Sequence, residues 1–153
     1  MTHLERQHAI VIDGAIDRVF PLFTPLGETR WVDDWRPEFL YPESGETREG
    51  MVFRTHHGGE ETLWSCIGWE PHRHRVRYAR VTPGSRFGFV DVSCREPSPG
   101  QTEASVRYTL TALSAEGAAY LSGLTADAFA RMIDDWKGRI ERCLAADPVP
   151  GAA

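Results

Sequence analysis

One change of repeat limits what this chain can fold into. Across residues 51–113 apolar side chains favour alternate positions, whereas from about Ala118 to Ala146 they recur at helical spacing. Leu121, Leu124, Ala128, Phe129, Met132, Ile133, Trp136, Ile140, Cys143 and Leu144 fall on one stripe. Asp127, Arg131, Asp134, Asp135, Lys137, Arg139, Glu141 and Arg142 lie mostly off it. At ~1.5 Å per residue this spacing predicts a single helix up to ~40 Å long. Such a helix can bury its stripe only against a partner of similar length, and the preceding strands are the candidate.

Those strands are marked by alternation and by turn residues. RQHAIVID (6–13) reads as a first strand with His8, Ile10 and Ile12 on one face. AIDRVFPLF (15–23) follows at helical spacing, with Ile16, Val19, Phe20 and Phe23 as its stripe and Pro21 predicting a kink or an early stop. Thr24-Pro25-Leu26-Gly27 reads as a break. ETRWVDDW (28–35) predicts two helical turns with Trp31 and Trp35 on one face, ended by Pro37. A polar loop runs from Pro42 to Gly50. Strands are then expected at 51–57, 60–70, 75–81, 86–94 and 102–113, with a loop at Pro97, Pro99 and Gly100. In the last strand Val106, Tyr108 and Leu110 share a face. Tight turns between such strands predict an antiparallel meander. The expected architecture is α+β: a curved antiparallel sheet of about seven strands against one long helix, with two short helices after the first strand. Residues 1–146 form one domain, and 147–153, DPVPGAA, a flexible tail.

Composition narrows the partners. A net charge of −5 argues against nucleic acid, whose affinity comes mainly from basic side chains on phosphate. No apolar run approaches the ~20 residues of a membrane span, and the N-terminus lacks the pattern of a signal peptide. Cys66, Cys94 and Cys143 form no close pair and no zinc spacing, as expected of reduced thiols in a cytoplasmic protein. A monomer or a homodimer is expected.

Four stretches carry a resemblance to a known family. VIDGAIDRVFPLF joins the first strand to the first helix, and RWVDDWRPEF joins the second helix to the next strand. GWEPHRHRVRY holds two strands around a proline turn, and YTLTALSAEG leads into the last helix. With these, residues 5–145 resemble the START/SRPBCC helix-grip superfamily, which includes pollen allergens, lipid-transfer domains and polyketide cyclases. The likeness extends to uncharacterised bacterial members with W-x-x-x-W-x-P and T-A-L-S-x-x-G. Gly14-Ala15 stands where the family often has Ala-Pro. These stretches are structural punctuation rather than a catalytic signature. The resemblance implies a curved sheet gripping the long helix around a cavity, with the second short helix capping one end.

In such a cavity the expected ligand contacts are Trp35, Phe53, Trp64, Tyr78, Phe89, Tyr108, Met132 and Trp136. His8, Arg80 and Asp91 are candidate polar cavity residues: His8 shares the face of Ile10 and Ile12, and Arg80 shares that of Tyr78. Asp91 turns inward if Phe87 and Phe89 do, and then needs a partner such as Arg80. Asp33 and Asp34 are adjacent, point about 100° apart on a helix, and read as solvated charges rather than a catalytic pair. His56 and His57 face opposite ways on a strand and cannot share a metal. No metal and no cofactor are expected, and no catalytic residue is assigned. There is no G-x-S-x-G and no phosphate-binding glycine loop.

Three functions remain open. The leading one is binding or carriage of a hydrophobic or aromatic small molecule in a cavity of several hundred Å³. The second is a polyketide cyclase- or hydrolase-like enzyme using a cavity His, Tyr or Asp as acid–base. The third is an interaction module acting through its surface. Fold alone does not separate them.

Overall fold

The computed structural model describes residues 1–147, so that all but the first residue of the expected tail lies outside them. Seven antiparallel strands form one sheet: β1 (His3–Asp13), β2 (Glu38–Tyr41), β3 (Val52–His57), β4 (Glu60–Glu70), β5 (Arg75–Thr82), β6 (Arg86–Ser98) and β7 (Gln101–Ala112). Their order is β1-β7-β6-β5-β4-β3-β2. The chain therefore starts at one edge, crosses the width of the sheet, and meanders back until β7 pairs with β1. The crossing segment contains α1 (Ile16–Val19), a 3₁₀ turn (Phe20–Phe23) and α2 (Pro25–Glu28). Pro21 at the start of the 3₁₀ turn marks the change of helix type.

Two helical expectations are corrected. Thr24 does not break the chain. It is the N-cap of α2, with its Oγ1 accepting from the Gly27 N–H at 3.0 Å and Pro25 following it. The helix therefore starts earlier than expected and dissolves into turns, which end at Asp34 in the left-handed region (φ 58°). Trp31 and Trp35 do not lie on a regular helix. The long C-terminal helix is in fact two, α3 (Ala115–Gly123) and α4 (Ala126–Ala146). Thr125 starts α4 as its N-cap, accepting from the Ala128 N–H at 3.1 Å. The 21 residues of α4 make it about 30 Å long.

The inner face of the sheet follows period two. Ile10 and Ile12 of β1 are buried with Ala104 and Val106 of β7, Val92 and Cys94 of β6, and Val76 and Tyr78 of β5. Phe129, Ile133, Ile140 and Leu144 of α4 join the same core. Polar contacts fasten α4 to β1: His8 Nε2 to Asp134 at 2.7 Å, Lys137 Nζ to the Val11 carbonyl at 2.7 Å, and the Asp13 N–H to Glu141 at 2.8 Å.

The register of β6 is settled by its pairing with β5, in which Tyr78 lies opposite Val90 and Arg80 opposite Gly88. Val90, Val92 and Cys94 are buried on the inner face, and Phe87, Phe89 and Asp91 lie on the outer one. This corrects the expectation for Phe89 and Asp91. Both faces look apolar in sequence because Phe87 and Phe89 pack on each other outside, at 5.5 Å between ring centres, with Arg77 over Phe89. Asp91 meets Arg77 at 3.1 Å and Arg107 at 3.6 Å, not Arg80. The expected loop at Pro97 is also shorter: β6 continues to Ser98 and turns at Pro99-Gly100.

Candidate functional site

Directly opposed residues in an antiparallel pair share a face, so the inner surface reads as rows across the strands. One row runs Phe53, Trp64, Arg80, Gly88, Leu110 and Leu4. The next runs Cys66, Tyr78, Val90, Tyr108 and Arg6. In the first row Gly88 is required by close packing. A Cβ there would lie 2.4 Å from Leu110 Cδ2, 2.9 Å from the Thr109 carbonyl oxygen and 3.6 Å from Arg80 Nε. With no side chain on Gly88, Leu110 leans into that position and Arg80 passes close beside it. The Arg80 guanidinium lies 4.5 Å from the ring centre of Tyr108 and 5.2 Å from that of Trp64.

The crossing segment covers these rows. Gly27 sits so close to the 3₁₀ turn that a Cβ would lie 2.0 Å from the Pro21 carbonyl oxygen. The indole N–H groups hold the cover in shape: Trp31 donates to the Leu22 carbonyl at 2.8 Å and Trp35 to the Pro25 carbonyl at 2.9 Å. Tyr78 ties the sheet to the segment by donating its hydroxyl to the Phe23 carbonyl at 2.9 Å. From the helix side Arg139 reaches Asp33 at 2.7 Å.

Between sheet, cover and α4 lies a cavity of about 170 Å³. The sheet contributes Phe53, Trp64, Tyr78, Arg80, Val90, Val92 and Tyr108; the cover contributes Pro25, Glu28, Trp31, Val32 and Trp35; α4 contributes Trp136. Seven of these thirteen residues are aromatic. Their rings brace one another: Phe53 and Trp64 stack at 5.5 Å, Trp35 meets Trp64 edge-on at 5.7 Å, and Trp31 meets Trp136 at 5.5 Å. The volume is smaller than the several hundred Å³ expected from sequence, and four of the lining side chains are indoles.

Two charged residues line this space, Glu28 and Arg80. The Glu28 carboxyl makes no hydrogen bond or ion pair among the described residues; burial raises it well above the ordinary carboxylate range, and the charge of Arg80 partly opposes this. Burial, and after it the nearby carboxyl of Glu28, raises the Tyr78 hydroxyl. Burial also raises that of Tyr108, against the pull of Arg80.

Six of the eight expected ligand contacts, Trp35, Phe53, Trp64, Tyr78, Tyr108 and Trp136, line the cavity together with Arg80. The other expected residues lie elsewhere. Met132 is half-buried against the core. His8 lies at the seam of β1 and α4 on Asp134. Phe89 and Asp91 are on the outer face. Among the described residues no histidine or aspartate lines the cavity, and no three His, Cys, Asp or Glu side chains cluster as a metal site. Burial pushes the Cys66 thiol up to about 11 and the Cys94 thiol up to about 12, which keeps both protonated. No described helix is long and apolar enough to cross a membrane. Sequence reasoning missed Glu28. Its signal was there: Glu28, Trp31, Val32 and Trp35 are spaced i, i+3, i+4 and i+7, which puts a carboxylate on an apolar stripe.

No protein-family model matches this chain, and no curated protein matches it in sequence. Solved structures do match. Norcoclaurine synthase from Thalictrum flavum, in complex with dopamine and hydroxybenzaldehyde, superposes with a TM-score of 0.68 at 11% identity over 96% of this chain and 89% of its own. The Zhui aromatase/cyclase from Streptomyces sp. R1128 gives a TM-score of 0.69 at 17% identity over 96% and 99%. A hypothetical protein from Helicobacter pylori gives 0.71 at 6% identity over 91% and 86%. At these identities the likeness is one of fold. The chain therefore shares the α+β helix-grip fold of these structures, the fold expected from its sequence.

Proposed function

We propose that this protein binds a small aromatic molecule in the cavity between the sheet, the crossing segment and α4. The carrying observation is the cavity itself, about 170 Å³ of space with seven aromatic residues in its wall. An apolar cavity of about 150 Å³ holds a benzene-sized ligand, so the occupant is a one-ring compound or one ring of a longer molecule. Burying ~200 Å² of ring surface at ~25 cal/mol per Å² yields about 5 kcal/mol, which alone corresponds to roughly millimolar affinity or slightly better. Tighter binding rests on the polar groups of the wall. Titration with phenol and benzyl alcohol, followed by calorimetry, tests the reading, with native mass spectrometry for co-purified ligand. Saturable one-to-one binding, weakened by Trp64→Leu and unaffected by Arg95→Gln on the surface, is expected. Absence of saturation by any one-ring compound and of any co-purified ligand sinks it and leaves the surface-interaction reading in its place.

A second reading, acid–base catalysis on the bound molecule, has one observation in its favour. Glu28 combines a raised carboxyl with a place on the cavity wall, which Arg80 also lines. The comparison with norcoclaurine synthase and an aromatase/cyclase adds two enzymes of this fold. It differs from the sequence expectation in the group that moves the proton, a glutamate in place of a His, Tyr or Asp. Turnover lost in Glu28→Gln while ligand affinity is kept would identify catalysis.

A further inference from the structure

We infer that the cavity selects an aromatic molecule whose polar end is an anion, an aryl carboxylate, received by Arg80 with Glu28 as the accompanying hydrogen-bond donor. This rests on the binding reading above and names the class of ligand. The ionisable groups lining the space are Glu28 from the crossing segment, Arg80 and Tyr78 from β5 and Tyr108 from β7; α4 contributes only the neutral Trp136. Two of them carry opposite charges when ionised, yet no ion pair joins them.

The two are not equivalent. A guanidinium cannot shed its proton in a protein, so Arg80 remains a cation whatever enters. A carboxyl in an apolar wall can shed its charge by binding a proton, and burial drives Glu28 in that direction. The lasting bias of the cavity is therefore positive. Arg80 lies over the ring faces of Tyr108 and Trp64, which attract the cation without neutralising it. The Tyr78 hydroxyl already donates to the Phe23 carbonyl and offers an incoming group only its acceptor side. A ligand carboxylate beside Arg80 gains charge-assisted hydrogen bonds from the guanidinium. Its negative charge favours the protonated form of Glu28, which donates one more. A ligand ammonium would face Arg80 at close range and would have to hold Glu28 ionised against its burial.

The test compares three one-ring probes of similar size, benzoate, benzyl alcohol and benzylammonium, by calorimetry at pH 7. Benzoate binding roughly tenfold or more tightly than benzyl alcohol is expected. In Arg80→Met the benzoate-to-benzyl alcohol ratio falls to about one, and Arg80→Lys recovers part of it. Glu28→Gln, whose amide can still donate, keeps the benzoate preference, and Glu28→Leu, which removes the donor, reduces it. Equal affinity for benzoate and benzyl alcohol, or a preference for benzylammonium, overturns the inference while leaving the binding reading intact. Failure of all three probes overturns both. The wild-type comparison needs no variant, so a misfolded Arg80→Met protein does not blunt it.

Discussion

The inner face of the sheet has a solid half and a hollow half. Under α4, Ile10, Ile12, Ala104 and Val106 meet Ile133, Ile140 and Leu144, and all are buried. Toward β3, β4 and β5 the same face carries Phe53, Trp64, Tyr78 and Arg80, and its opposite wall is mainly the turn-rich cover of residues 24–35, joined by Trp136 of α4. Branched aliphatic side chains interdigitate across a helix–sheet seam and leave no void. Large planar rings tethered by hydrogen bonds cannot collapse onto one another, and their edges leave a space. The two halves therefore divide the labour: the aliphatic half holds the fold, and the aromatic half keeps an opening in it.

Truncations should separate the halves. The largest effect on stability is expected in the solid half, where Ile133→Ala should cost about 2–5 kcal/mol. Chemical denaturation measures this, and benzyl alcohol affinity at low denaturant should stay near wild type. Trp136 lies between the halves and is only partly buried. Trp136→Ala should therefore cost less than the ~3–5 kcal/mol of a fully buried ring and should weaken ligand binding more than Ile133→Ala does. A Trp136→Ala protein destabilised as much as Ile133→Ala, with unchanged binding, would erase the distinction.

Glu28 provides a pH signature of the hollow half. Its carboxyl is raised on folding, so the folded state keeps a proton that the unfolded chain releases. That contribution is fully present below the unfolded-chain value, about 4.3, and is lost as pH rises from there through the folded-state value. Denaturation midpoints across pH 4–8 should therefore decline more steeply with pH in the wild type than in Glu28→Gln. A Glu28→Gln curve parallel to wild type would show that the carboxyl does not change its proton affinity on folding.

Tyr78→Phe removes the single hydrogen bond from the sheet to the Phe23 carbonyl. About 1 kcal/mol is expected from thermal melts. The smallest effects fall outside both halves. Asp33 pairs with Arg139 at the surface, and Asp34 holds a left-handed turn that asparagine also tolerates. Asp33→Asn and Asp34→Asn should each stay within about 0.5 kcal/mol of wild type and bind ligand equally well.

The solid half was the more legible in sequence. Alternation in β1 and β7 and the stripe on α4 are each produced by one buried face, so periodicity reports them directly. The hollow half depends on features that periodicity does not report. Phe87 and Phe89 mimic an inner face because they pack on each other outside, and only the pairing of β6 with β5 places Val90 and Gly88 inside. The break between α3 and α4 is hidden because Leu121, Leu124 and Ala128 continue the stripe across it, while Thr125 starts α4 afresh by a capping hydrogen bond rather than by a change of pattern. Trp31 and Trp35 were expected on a helix; they reach the cavity through turns that start from the Thr24 cap. Glu28 reads as an ordinary helix charge until the apolar residues at i+3, i+4 and i+7 are noticed beside it.

Five tryptophans allow the central claim, that the hollow half is the ligand site, to be read in one experiment. Trp31, Trp35, Trp64 and Trp136 line the cavity, whereas Trp69 stacks on Phe20 at 5.7 Å and does not line it. Protein labelled with 5-fluorotryptophan, its five ¹⁹F resonances assigned by single Trp→Phe variants, is titrated with benzyl alcohol. Saturable shifts of the four cavity resonances with Trp69 unmoved are predicted; a shift of Trp69 alone, or no saturable shift in any of the four, would contradict a ligand site in the hollow half.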